Sequence, residues 1–258
     1  MELIFDSHAH YDDEAFEKDR EELLSGLFES GVGCIVDISA DLPGIPDVLR
    51  LANSYEGIYA AVGVHPSELS ELKDGDLDRI RRYAQEETKV VAIGEIGLDY
   101  HYPDTDKETQ KRWFSMQMKL AKDLSLPMVV HSRDAAADTL QMIKEEMPFP
   151  KGGVIHCFSY EPEMAKIYTD MGFYIGIGGV VTFKNARKLK EIAKTMPMEQ
   201  MLLETDCPYL APEPFRGKRN QSGLIRYVAQ TVASLRGMET DEVLKITAEN
   251  ARRFYGMV

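Results

Sequence analysis

The chain has 258 residues, of which 44% are hydrophobic and 28% charged, and its formal net charge is −13. No run approaches the roughly 18 consecutive apolar residues of a membrane span, which argues against an integral membrane protein. The negative net charge argues against a protein that coats duplex nucleic acid. It is compatible with a site that binds one phosphodiester at a time, because bound cations would supply the local positive charge.

Eight short apolar runs recur along the chain without the strict alternation of a strand that has one face in solvent. Such runs are typical of parallel strands that are buried on both faces. We predict strands at Glu2–Asp6, Cys34–Ile38, Ile58–Val64, Val90–Glu95, Pro127–His131, Gly153–Cys157, Phe173–Ile177 and Met201–Asp206.

Charge-rich amphipathic stretches of helical length separate these runs. The predicted helices include Glu14–Glu29, Asp76–Glu87, Lys107–Leu124, Ala135–Glu146, Asn185–Met196 and a final helix at Asp241–Arg253. Thr240 or Asp241 is the predicted N-cap of that last helix. This alternation predicts an α/β fold, a single-domain (β/α)₈ TIM barrel over residues 1–258. A doubly wound open sheet is the alternative, and the absence of GxGxxG after the first strand counts against it.

The N-terminus and the cysteines indicate the cellular compartment. The first predicted strand starts at Glu2, which leaves no room for a cleavable signal peptide. Cys34, Cys157 and Cys207 form no CxxC pair, and so sparse and odd a count fits a reducing compartment better than a disulfide framework. We therefore expect a cytoplasmic protein with no membrane association.

Histidines and carboxylates stand at the ends of the predicted strands, where the active sites of barrels lie. His8 and His10 form an HxH, and strand alternation places both imidazoles on one side. Other strand ends carry Glu95, His131, His156 and Asp206. Such donors suit Zn²⁺, Mn²⁺ or similar divalent ions. Six ligands exceed the needs of one catalytic ion, so the count favours two ions about 3.5–4 Å apart with a bridging carboxylate.

The motifs of the chain resemble those of the TatD family of metal-dependent hydrolases and DNases, within the amidohydrolase-like barrels. They are FDSHAHYDD, GVHP, AIGEIGLDYH, PMVVHSRDA, VIHCFS and LLETDCPYLAPEPFRGKRN, and they keep the family's order over essentially the whole chain. The segment QSGL after Asn220 departs from the Glu-Pro pair that the family more often has there.

This resemblance implies two divalent metal ions, with zinc, manganese or magnesium as candidates. The implied ligands are His8, His10 and Asp206 for one ion, His131 and His156 for the second, and Glu95 as the bridge between them. His65 of GVHP would lie near the substrate phosphate without binding metal.

The chemistry expected of this site is phosphodiester hydrolysis by a metal-activated bridging hydroxide. Two cations lower the pKa of a bound water and neutralise charge that develops on the phosphate oxygens. Asp206 would act as general base and Glu95 would hold the two ions together. We expect a deoxyribonuclease that acts end-wise or on single strands, with DNA bound locally at the barrel mouth.

A local reversal of charge follows the eighth predicted strand. Arg216, Lys218 and Arg219 place three cations in four residues of an acidic chain. Loops at this position of a barrel often bind phosphate, and arginine offers paired hydrogen bonds to it. Arg216 is the preferred phosphate contact, and a solvated basic loop is the alternative reading.

Each of three other residues near the strand ends has two possible roles. Arg133 would either contact the substrate phosphate or pair with Asp134 or Asp138. Glu204 would either support a ligand histidine or belong to a pair in the core. Asp99 would either line the cleft or cap the next helix.

Two other classes of function are compatible with the same residues. One is a hydrolase of a C–N or ester bond in a small molecule or in charged tRNA. The other is a metal-binding protein without catalysis, which the complete ligand set disfavours. The sequence leaves the oligomeric state open.

Overall fold

The computed structural model describes residues 4–73, 75–102, 104 and 106–257. Within these residues, eight parallel strands lie side by side in chain order. They are β1 (Ile4–Ala9), β2 (Val32–Ile38), β3 (Ile58–Val62), β4 (Val90–Asp99), β5 (Met128–Arg133), β6 (Gly153–Ile155), β7 (Tyr174–Ile177) and β8 (Met201–Leu203). Glu2 and Leu3, predicted as the start of the first strand, lie outside the described residues.

The described part of the chain also contains nine α-helices. They are α1 (Arg20–Glu29), α2 (Ile45–Ser54), α3 (Asp76–Glu86), α4 (Lys107–Leu124), α5 (Ala136–Glu146), α6 (Pro162–Asp170), α7 (Arg187–Thr195), α8 (Ile225–Arg236) and α9 (Thr240–Tyr255). None of them is long and apolar enough to cross a membrane. The predicted α4 is confirmed at both ends.

Two predictions about helix starts were wrong. The first predicted helix begins instead as a separate 3₁₀ turn at Glu14–Phe16, and α1 starts only at Arg20. The Arg20 guanidinium donates to the carbonyls of residues 11, 12 and 13, which holds the chain in a turn there. At the last helix, Glu239 rather than Thr240 or Asp241 occupies the N-cap, and its side chain makes no capping hydrogen bond.

The barrel closes between β1 and the segment that follows the short β8. The Asp206 N–H donates to the His8 carbonyl at 2.9 Å, and the His10 N–H donates to the Cys207 carbonyl at 2.9 Å. Ala9 and Cys207 form an isolated parallel bridge between these bonds. The ring of strands confirms the TIM barrel and rules out the open doubly wound sheet. Three of the predicted metal ligands, His8, His10 and Asp206, thus take part in closing the barrel.

Apolar packing fills the barrel and closes its amino-terminal end. One cluster lies between the strands and the surrounding helices and includes Trp113, which is buried. A second cluster joins inward-facing strand residues such as Phe5 to the last turns of α9. There the Tyr255 ring stacks on Phe5, and its hydroxyl donates to the Ser7 carbonyl at 2.7 Å. The opposite, carboxyl end of the barrel is therefore the open one.

Candidate metal centre

The six predicted metal ligands meet at the open end of the barrel. His8 lies in β1, Glu95 in the middle of β4 and His131 in β5, whereas His156 and Asp206 follow β6 and β8. The strands β4 and β5 run on to Asp99 and Arg133, further than predicted, because they stay paired with each other beyond the ligands. At Gly97 in β4 an added Cβ would lie 1.9 Å from the His131 carbonyl oxygen, so only glycine permits this close pairing.

Four donor atoms surround one point near β1. His8 Nε2 lies 3.1 Å from His10 Nε2 and 3.3 Å from Glu95 Oε2. Asp206 Oδ1 lies 3.7 Å from His8 Nε2 and 3.5 Å from His10 Nε2. Ligands about 2.0–2.2 Å from a tetrahedral ion are about 3.3 Å apart, so these spacings fit a shared divalent cation.

A second donor set gathers on the other oxygen of the same glutamate. Glu95 Oε1 lies 2.7 Å from His131 Nδ1 and 2.6 Å from His156 Nε2. The two imidazole nitrogens are 3.2 Å apart. The two oxygens of Glu95 thus face two different histidine pairs. The chemistry and spacing of the donors fit two divalent ions with Glu95 between them.

In His10 and His65 the Nδ1 atom is hydrogen-bonded to another residue, so Nε2 is the ring nitrogen that faces the site. His10 Nδ1 lies 2.8 Å from the Ile38 carbonyl, which can only accept, so Nδ1 carries a hydrogen and Nε2 is the nitrogen that an ion would take once its proton has left. At His65 the Nδ1 atom lies 2.7 Å from the Ser67 hydroxyl oxygen and 3.1 Å from the Ser67 backbone nitrogen. His65 Nε2 lies 3.8 Å from Glu95 Oε1. His65 therefore turns Nε2 toward the cleft, where a substrate would contact it.

The protonation states of the cluster follow from burial and from the carboxylates. Burial lowers the pKa of His8 to about 4 and that of His65 to about 4. Burial also disfavours the charged form of His10, but the hydrogen bond to Asp206 and the charge of Glu95 outweigh it and raise the pKa of His10 to about 10. The surrounding histidines hold the pKa of Glu95 well below its usual range despite its burial. Glu95 is therefore ionised within the cluster, as a carboxylate that holds a divalent ion has to be.

Two further carboxylates lie beside the candidate ligand histidines. Asp99 Oδ2 lies 3.3 Å from His131 Nε2, so Asp99 contacts a candidate ligand, and it also lines the cleft. Glu204 is buried and accepts the Cys157 N–H at 2.5 Å, and burial raises the pKa of Glu204 to about 8. Glu204 groups with His8 and His156, with donor atoms within 4.8 Å of one another. Its Oε2 and the Nδ1 atoms of both rings are buried without hydrogen-bond partners among the described residues.

The two arginines predicted to bind substrate are placed differently. Arg133 lines the cleft of about 670 Å³ above the histidines, and within the described chain it forms no ion pair with Asp134 or Asp138. Arg216 is exposed and is not among the described residues that line this cleft; its guanidinium lies 4.4 Å over the Phe183 ring. Its phosphate contact stays a prediction, and so do the metal-binding and substrate-binding roles of the other residues.

Sequence reasoning missed several residues of the cleft wall. They are Asp12, Asp13, Ser67, Glu68, Tyr102 and Tyr209. Each stands within a few residues of a recognised motif, so proximity in sequence is the signal that could have found them. They lie on loops, however, and loop conformation decides which side chains face the cleft.

Comparisons with known proteins show a family match over almost the whole chain. The family model described as TatD related DNase matches residues 5–256. The chain is 43% identical over 253 residues to a Bacillus subtilis protein named "Uncharacterized metal-dependent hydrolase YabD", covering 98% of this chain and 99% of that one.

Two solved structures share the same architecture. The Escherichia coli K12 TatD homologue YjjV superposes with a TM-score of 0.94 at 32% identity, over 99% of this chain and 98% of that one. A hydrolase TatD family protein from Entamoeba histolytica superposes with a TM-score of 0.88 at 26% identity, over 99% of both chains.

Proposed function

Because this chain belongs to the TatD family of metal-dependent hydrolases, we propose that it is a two-metal phosphodiesterase that cleaves DNA end-wise or on single strands. The family assignment makes the chain a metal-dependent hydrolase. The number of ions, the bond cleaved and the DNA substrate are the proposed part.

One observation carries the proposal: the two oxygens of Glu95 face separate histidine pairs. Oε2 lies 3.3 Å from His8 Nε2, and Oε1 lies 2.6 Å from His156 Nε2. A carboxylate in this position can bridge two ions, and paired ions suit the in-line displacement of a phosphodiester.

The bound ions and Asp206 would have different roles in hydrolysis. Bound divalent ions would lower the pKa of a water molecule and stabilise negative charge on the phosphate. Asp206, whose side chain is 17% exposed against 4% for Glu95, is the carboxylate that reaches the open cleft. It is ionised, because the neighbouring histidines hold its pKa below the usual range despite burial, so it can accept the proton of the attacking water and pass it to the leaving oxygen.

Two donors on the cleft wall would orient the phosphate. With the hydrogen of its neutral ring on Nε2, His65 would offer an N–H, and Arg133 carries the guanidinium that lines the cleft. Both groups donate hydrogen bonds, and neither has to change protonation during the reaction.

Metal-loaded protein incubated with end-labelled single-stranded DNA, duplex DNA and a panel of small-molecule esters tests this proposal. We expect cleavage of single-stranded DNA, and we expect Glu95→Gln to lower the rate at least about 10³-fold because the bridge loses its charge. Metal content, measured on the same samples, should fall as well. Glu249→Gln, an exposed change on α9, is the matched control.

Two results would contradict the proposal. Full activity in Glu95→Gln would reject the site. Hydrolysis of an ester or C–N substrate without DNA cleavage would favour the alternative hydrolase on the same centre.

A further inference from the structure

Exposed aromatic side chains are concentrated at the mouth of the candidate metal centre. Among the described residues, the large hydrophobic side chains that remain exposed are Tyr102, Met147, Tyr209 and Leu210. Tyr102 is 59% exposed and Tyr209 is 56% exposed, and both line the cleft above the histidines. Exposed rings beside a polar, metal-binding centre are typical of ligand contacts rather than of core packing.

The two tyrosines stand on opposite walls of the cleft. Tyr102 follows β4 and Tyr209 follows β8. The eight strands form one ring in chain order, so these two strands are four positions apart and face each other across it. A group held at Glu95 and Asp206 would therefore have one ring on each side.

A hydrogen bond orients the Tyr209 ring, and the Tyr102 ring contacts the adjacent His101. The Tyr209 hydroxyl donates to Asp13 Oδ2 at 3.0 Å, and its backbone N–H donates to the Asp206 carbonyl at 2.9 Å. The Tyr102 ring packs edge-on against His101, with centroids 5.2 Å apart. A ring that is already oriented, as Tyr209 is, loses little conformational freedom when a planar group stacks on it.

The charges of the cleft do not suit binding along a phosphate backbone. Arg133 is the one Lys or Arg among the described lining residues, whereas Asp12, Asp13 and Glu68 place carboxylates on the wall. The nearby Arg219 is occupied by a two-fold hydrogen bond to Asp19. Phosphates beyond the one at the metal centre would meet negative charge, so they contribute little to affinity.

We infer that this cleft recognises the two nucleotides that flank the scissile phosphate by stacking their bases on Tyr102 and Tyr209. The inference rests on the proposed function and narrows it to single-stranded ends and short oligonucleotides, whose bases are free to stack. Base stacking on aromatic side chains tolerates any sequence, so little base preference is expected.

Steady-state kinetics on two matched substrates tests this inference. One is a short oligothymidylate, and the other has base-free tetrahydrofuran residues on both sides of the cleaved linkage. For metal-loaded wild type we expect a KM at least about tenfold higher on the base-free substrate. Tyr102→Ala and Tyr209→Ala should raise KM on oligothymidylate about tenfold and leave KM on the base-free substrate within about twofold of wild type.

Further variants separate stacking from general damage. Tyr102→Phe and Tyr209→Phe keep the ring and should restore most of the affinity that the alanine variants lose. Met147→Ala removes an exposed apolar side chain that follows α5, away from the cleft, and serves as the control. Raising salt from about 50 to 200 mM should raise KM only about threefold, as expected for one phosphate contact on a single strand.

The possible failures are distinguishable. Equal effects of the alanine variants on both substrates, or no effect on oligothymidylate, would overturn the stacking inference while DNA cleavage still stands. If the metal-loaded wild type cleaves no phosphodiester, the proposed function fails and the stacking inference fails with it.

Discussion

Backbone conformation at single residues aims the side chains of the candidate site. Five described residues other than glycine have a positive φ, and four of them follow β5, β6 or β8: Asp134, Cys157, Asp206 and Leu210. Asp206 itself has φ 57°. This left-handed conformation is unfavourable for most L-residues and is commonly kept where function requires it.

Arg133 is the residue-scale test of phosphate recognition. We expect Arg133→Ala to raise KM for a phosphodiester about tenfold, because a charge-assisted hydrogen bond contributes about 1.5–3 kcal/mol. Its metal content should stay near that of wild type. Steady-state kinetics with Arg226→Ala, an exposed arginine on α8, as control checks the effect. The KM of Arg216→Ala, measured in the same way, shows which of the two arginines contacts the phosphate. An unchanged KM in Arg133→Ala would show that Arg133 does not contact the substrate.

At the scale of elements, a buried carboxylate joins the first strand to the segment after the last. Asp6 in β1 accepts hydrogen bonds from the Thr205 N–H at 3.0 Å, the Thr205 hydroxyl at 2.6 Å and the Ser222 hydroxyl at 2.7 Å. Thr205 directly precedes Asp206, and Asp6 stands two residues before His8. Ser222 belongs to the QSGL segment that departs from the family pattern, so this chain uses that segment to support the closure.

Removing this carboxylate should loosen the barrel and the metal centre together. We expect Asp6→Ala to lower the free energy of unfolding by about 3 kcal/mol, because buried donors lose their acceptor. Metal affinity should fall in the same variant, since His8 and Asp206 lose their common support. Urea unfolding and metal titration measure the two effects, with the exposed Asp47→Ala as control. Lost stability with unchanged metal affinity would show that Asp6 only supports the fold.

At the scale of the whole molecule, metal binding should be linked to pH. Burial works against the charged form of His131, but Asp99 and Glu95 raise its pKa to about 9, and His10 has a pKa of about 10. Near neutral pH these rings hold protons in the metal-free protein, and an incoming ion has to displace them. Protonation of these two rings also stabilises the metal-free fold. This stabilisation is complete at pH values below the usual histidine pKa and disappears as the pH rises through about 9 to 10.

Both effects make added metal more stabilising at higher pH. We expect the difference in Tm between manganese-loaded and EDTA-treated protein to grow from about pH 6 to about pH 9. Thermal unfolding with and without EDTA measures it. In His10→Ala this Tm difference should depend less on pH. If the Tm difference of the wild type does not change with pH, then His10 and His131 do not bind the ion.

The sequence alone predicted the architecture because strands and helices are recognisable from local patterns of apolar and charged residues. Apolar runs of strand length and amphipathic stretches between them are set by side-chain chemistry, and Lys107–Leu124 forms the predicted helix at both ends. The family followed from motifs such as LLETDCPYL, and it is confirmed by the match over residues 5–256. The six candidate ligand positions could be named because barrel topology gathers all strand ends at one face, and their metal-binding role stays a prediction.

Other features required the tertiary structure because they depend on distances between distant parts of the chain. That Glu95 turns its two oxygens to different histidine pairs follows from the positions of four strands, which no local pattern records. The loops decided which cations are available: Arg219 pairs with Asp19, some 200 positions earlier in the chain. They also brought Tyr102 and Tyr209 to opposite walls of one cleft, because β4 and β8 face each other only after the barrel closes.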